Sequence, residues 1–170
     1  MASKKESGES PATTLCKSCG LCCTGHLFVW SKLRSAELDN AQSLGLNVIR
    51  EPGQRGFNQP CPLWEGKCTI YETPHYPRFC HTYKCKLLKQ VIDENIPLSD
   101  SLKIIQETRK IIDELELLLP DSPMTSFRER LVTSMEQGVT DVNFRLKADA
   151  LVDIFDTRFG VNDFLDGSEA

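Results

Sequence analysis

No apolar run in this 170-residue chain approaches the roughly 18 residues that cross a bilayer, so no transmembrane helix and no membrane partner are expected. Met1 to Leu15 also lacks the apolar stretch of about seven or more residues that a secretory signal needs. It is instead polar and rich in Ser, Thr, Lys and Glu. A reducing cytoplasm is therefore the expected setting. Familiar catalytic signatures are missing too: there is no P-loop, no G-x-G-x-x-G, no G-x-S-x-G and no H-E-x-x-H. Nor is there an excess of positive charge, the net charge being -4. Residues 16–96 hold 10 basic and 7 acidic side chains, against 8 and 15 over residues 97–170. Non-specific affinity for nucleic acid comes chiefly from Lys and Arg on phosphates, so nucleic acid is not an expected partner.

Cysteine, by contrast, is abundant. Cys16, Cys19, Cys22, Cys23, Cys61, Cys68, Cys80 and Cys85 all fall within 70 residues, spaced C-x2-C-x2-C-C, then C-x6-C-x11-C-x4-C. Where thiols stay reduced, such clustering points to metal or redox chemistry rather than disulfides. Soft sulfur selects zinc, copper(I) or iron-sulfur over magnesium or calcium. The C-x2-C of Cys16 and Cys19 followed by Gly20 reads as a tight zinc knuckle. The repeated interval to Cys22, with a remote Cys61-Pro62, reads as part of a bacterial ferredoxin run, although the cysteine that ends such a run three residues later is missing. An iron-sulfur cluster or Zn2+ is thus the expected cofactor, with all eight cysteines as candidate ligands.

Consecutive side chains in an extended stretch point to opposite sides, so Cys22 and Cys23 are expected to face different partners. Two four-ligand sites, one site plus four spare thiols, and a shared polynuclear cluster all remain open. His26 and His81 are alternative ligands or orienting groups, and His75 sits in a Pro-flanked loop. Tyr71, Tyr76, Phe79 and Tyr83, with Arg78 and Lys84, read as a shield and local charge compensation around the metal. Trp30 and Trp64 read as core.

The expected fold class is α+β and small: a loop-rich cysteine module with short strands, followed by three or four α-helices. Residues 1–15 read as a disordered tail, 16–96 as the cysteine-cluster region and 97–170 as a helical region. Short strands are expected at His26–Trp30, Asn47–Arg50 and Cys68–Tyr71, and a helix from a Ser35 cap to Gly45. Helices are expected over Lys86–Glu94, from a Ser99 or Asp100 cap to Leu119, from Ser122 with Pro123 in its first turn to Gly138, and from about Thr140 to Phe159. The second carries an apolar stripe of Ile104, Ile105, Thr108, Ile111, Ile112, Leu115, Leu118 and Leu119. Val161 to Ala170 reads as an acidic, frayed tail.

The blocks Cys16-Lys-Ser-Cys19-Gly-Leu-Cys22-Cys23, Pro60-Cys61-Pro62-Leu63, Gly66-Lys-Cys68-Thr-Ile70-Tyr71-Glu72 and Pro77-Arg78-Phe79-Cys80-His-Thr-Tyr83-Lys-Cys85 together resemble the YkgJ-type cysteine-cluster proteins. That family is described as a zinc- or iron-chelating domain. The resemblance spans Cys16 to about Cys85 and implies metal binding. Where the family pattern places arginines around its third block, this chain has Tyr76 and His81, so an anion-binding role for those arginines does not carry over. Flagellin lysine methylases carry a similar cluster, which makes a redox or methyl-transfer enzyme or accessory one alternative. A structural zinc module that presents the helical region to a protein partner is another.

Overall fold

The computed structural model describes residues 8–122 and 125–163. The chain begins helically: Ser10 accepts from the Thr13 N–H, Pro11 occupies the first turn and Gly20, at φ 66°, closes the far end in the left-handed conformation. Cap, N-terminal proline and C-terminal glycine together delimit α1, Pro11–Cys19. This corrects the reading of residues 1–15 as a tail, whose first seven residues lie outside the described ones. Polar composition is a poor guide here because a single buried side chain, Leu15, docks the helix, which packs against two later ones.

A three-stranded antiparallel sheet follows, with β1 (Trp30–Lys32), β2 (Val48–Glu51) and β3 (Gln54–Asn58) in the order β1-β3-β2. Pro52 and Gly53, the latter at φ 79°, make the turn between β2 and β3. Between β1 and β2 lie a 3-10 turn, Ser35–Glu37, and α2, Leu38–Ser43. The strand expected at His26–Trp30 is present only from Trp30 onwards. The one expected at Cys68–Tyr71 is turn, with a single bridge from Cys68 to Trp64.

Cys80 lies on the short α3, Arg78–Thr82, and the Cys85 sulfur caps α4, Lys86–Ile92, by accepting from the Leu88 N–H at 3.4 Å. The long α5, Leu98–Glu116, starts after Pro97, slightly before the expected cap. Of its stripe, Ile105, Thr108, Ile112 and Leu115 are buried, and Thr108 satisfies its hydroxyl on the Ile104 carbonyl at 2.7 Å. The next helix, α6, is Phe127–Glu136, and Ser126 caps it in a reciprocal box with Glu129. Its true start is thus later than Ser122, and Pro123 lies outside the described residues. The last, α7, is Val142–Thr157, capped by Asp141. Val161 is buried and its N–H bonds the Phe155 carbonyl at 2.8 Å, so the chain is held that far.

The architecture is therefore α+β, with seven helices among the described residues. One apolar cluster joins Leu15, Leu21, Leu27 and Leu87 of the cysteine half to Ile105, Leu151 and Phe159 of the helical half. A smaller one, Leu33, Leu38, Ala41, Leu46 and Phe57, lies under the sheet. The cysteine-bearing segments are caught between the two. Among the described residues no helix is long and apolar enough to cross a membrane.

Candidate metal centre

Helix α1 presents Cys16 and Cys19 three residues apart, which places both on one face. The expected knuckle is thus the last turn of a helix, and Gly20 serves as its left-handed cap. A Cβ at Gly20 would come within 2.2 Å of the Trp64 ring. Beyond it residues 20–27 fold tightly, with Thr24 N–H on the Gly20 carbonyl (2.8 Å) and Leu27 N–H on Leu21 (3.2 Å), placing Cys22 and Cys23. The Cys61 N–H donates to the Cys23 carbonyl at 2.7 Å, which ties the second cysteine block to the first.

All eight thiols are free and half-buried, so no disulfide competes with ligation. They line two adjoining cavities. One, of about 60 Å³, is lined by Cys16, Cys19, Cys22, Cys23 and Cys85 among leucines of the main core. The other, of about 70 Å³, is lined by Cys16, Cys22, Cys23, Cys61, Cys68 and Cys80 beneath Phe57, Tyr76 and Phe79. Every cysteine borders at least one, and Cys16, Cys22 and Cys23 border both. Among the described residues, no three His, Cys, Asp or Glu side chains are grouped so that they could hold a metal ion.

Burial, then the neighbouring Cys85, Cys19, Cys23 and Cys16, holds the Cys22 thiol well above its ordinary range. Burial and then Cys68, Cys80, Cys61 and Cys16 do the same to Cys23. The pair sits in a turn rather than the extended stretch that alternation requires, and both residues border both cavities. Cys16 stands between, pushed up to about 11 by burial, Cys85 and Cys68 and eased by a Tyr71 hydrogen bond. Burial and then Cys61 push Cys80 up to about 12.

Other groups pull the opposite way. Against dominant burial, backbone N–H groups favour the thiolate at Cys61 (from Leu63 and Trp64), Cys68 (from Ile70 and Tyr71), Cys85 (from Leu88 and Leu87) and Cys19 (from Leu21). Donors two and three residues after a cysteine stabilise sulfur carrying negative charge, which a neutral thiol does not require. The donor set therefore suits a thiolate-bound metal or iron-sulfur cluster: soft sulfur, backbone donors already aimed at it, and apolar walls.

The histidines lie elsewhere. His26 pairs with Thr24 Oγ1 at 2.6 Å and meets the Phe127 ring edge-on at 5.0 Å, while His75 and His81 are exposed. None borders either cavity. Of the aromatics, Tyr71, Tyr76, Phe79 and Tyr83 line the second cavity, Phe79 stacking on Tyr83 at 5.4 Å. Arg78 is exposed, and among the described residues its backbone alone is hydrogen-bonded.

Two further residues position the site. Arg109 of α5 donates to the carbonyls of Ser18 and Cys19 at the C-terminus of α1, lies 6.0 Å from the Trp64 ring and brings positive charge towards Cys19. Glu37 accepts from the Arg34 N–H and the Arg78 N–H, each at 2.8 Å, clamping the start of α3 to the 3-10 turn. Neither stands out in the sequence. Arg109 follows Thr108 on an otherwise apolar stripe, which is a weak signal, and Glu37 acts over 41 positions.

No family model matches the chain, and no solved structure matches it significantly. It is similar to RNA-binding protein 47 of Rattus norvegicus, 34% identical over 70 residues, covering 41% of this chain and 11% of that protein. The chain thus spans about a tenth of that relative's length.

Proposed function

We propose that this protein is a thiolate metal-binding protein whose eight cysteines hold an iron-sulfur cluster or zinc. The observation that carries this reading is convergence: cysteines from α1, the 20–27 turn, the 61–68 turns, α3 and the α4 cap, 70 residues from first to last, surround two contiguous cavities. Convergence of that many free thiols would serve no purpose in an ordinary core, because a lone buried cysteine packs as a small apolar side chain. The spacing shared with YkgJ-type proteins supports the same reading.

Of the two chemistries, the C-x2-C-x2-C run with its remote Cys61-Pro62 leans to iron-sulfur. A bound cluster would supply electron transfer or Lewis acidity. The chain's own contribution is to present the thiolates, to aim N–H donors at Cys19, Cys61, Cys68 and Cys85, and to exclude water with the leucines on one side and the tyrosines on the other. This chemistry belongs in a reducing compartment. Anaerobic purification followed by metal analysis and a visible spectrum tests it: a broad band that bleaches on reduction is expected. A colourless protein holding stoichiometric zinc would replace the cluster by zinc, and protein with neither metal would overturn the proposal.

A further inference from the structure

Resting on the metal-binding reading, we infer that the chain carries two four-cysteine centres side by side, an inner one on Cys16, Cys19, Cys22 and Cys85 and an outer one on Cys23, Cys61, Cys68 and Cys80. The division follows from placement. Cys19 and Cys85 border only the first cavity, and Cys61, Cys68 and Cys80 only the second. Three cysteines border both. Cys22 and Cys23 are neighbours in the chain and border both cavities, so a division into two sets of four takes one of them to each side. The Cys61 N–H to Cys23 carbonyl bond holds those two segments together on the outer side. Cys16 shares the α1 face of Cys19, three residues away, which completes the inner set. Each set then has four thiolates, the number that a zinc ion or an iron-sulfur cluster takes from protein.

The two centres are not equivalent. The inner one is built by two helices, α1 and α4, with the turn leading from α1, and is walled by Leu15, Leu21, Leu27 and Ile105 with Arg109 behind Cys19. The outer one draws Cys61 and Cys68 from turns and Cys80 from the short α3, under the sheet residue Phe57. The Cys22–Cys23 peptide is the shortest covalent path between them.

Native mass spectrometry of the full-length, anaerobically purified chain counts the centres directly. Two zinc ions or two clusters per chain are expected, and a single ion or single cluster overturns the inference. Two double variants locate them. Cys19→Ser with Cys85→Ser, and Cys61→Ser with Cys68→Ser, should each retain about half of the wild-type metal, because each touches one centre alone. Complete loss in either variant, with the helical circular dichroism preserved, would mean one shared centre. Unchanged metal in either would mean that those thiols are spare. If a variant does not fold, the wild-type count still decides the matter. Wild-type protein without any metal removes the metal-binding reading and this inference together, whereas one centre per chain overturns only the second.

Discussion

At Gly20 the backbone turns left-handed against the flat of Trp64, and nothing larger than hydrogen fits. Gly20→Ala combines the left-handed penalty with overpacking, an expected loss of about 2–5 kcal/mol. Chemical denaturation should show it as a lower midpoint at unchanged slope. The thiols make a prediction of their own in metal-free protein. Burial first, then neighbouring cysteines, pushes Cys16 from the ordinary 9.0 to about 11 and Cys80 to about 12. A thiol whose folded pKa is raised stabilises the fold fully below 9.0 and loses that contribution as the pH rises through the folded value. Metal-free protein is therefore expected to lose stability between about pH 9 and 12, and to alkylate slowly at pH 8 because its thiols are protonated. Metal loading must displace those protons and should be accompanied by measurable acid release.

Among the elements, α1 and α3 bear most directly on the site. Leu15→Ala removes the anchor of α1 and should cost about 2–5 kcal/mol, whereas a frayed tail would tolerate it without change. Glu37→Gln weakens the clamp on Arg34 and Arg78, and is expected to cost about 1 kcal/mol and to lower metal retention at Cys80's side first. Why α1 escaped a reading from residues alone is instructive: Ser10, Pro11 and Gly20 are the cap, first-turn and closing residues of a helix, but the polar stretch before them and the C-x2-C spacing suggested a tail and a knuckle. The third strand, Gln54–Asn58, is likewise signalled by Pro52-Gly53 yet carries too few apolar residues to show a period. The helices after Cys85 were legible because their apolar periods are long, and Ser126 and Asp141 show why the boundaries were not: several candidate caps compete and packing chooses among them. The eight cysteines were readable as a set. Their partition was not, because Cys16, Cys22 and Cys23 border both cavities and spacing cannot assign them.

For the whole molecule, the main apolar cluster spans both halves of the chain, so metal removal is expected to reach beyond the cysteine loops. A chelator should lower the thermal midpoint while α5, α6 and α7, which carry their own buried stripes, keep most of the helical signal. The turn-borne cysteines at 61 and 68 should give up metal before the helix-borne ones at 16, 19 and 85, so stripping should proceed in two phases. Leu117, Val142 and Leu146 remain exposed on the helical side, and none of them lines either cavity.

The most direct measurement is X-ray absorption at the metal edge of protein purified anaerobically. A first shell of sulfur alone at about 2.3 Å, with a metal neighbour beyond it if the centre is a cluster, is the predicted result. A shell of nitrogen or oxygen would show metal bound away from the cysteines and would contradict the account.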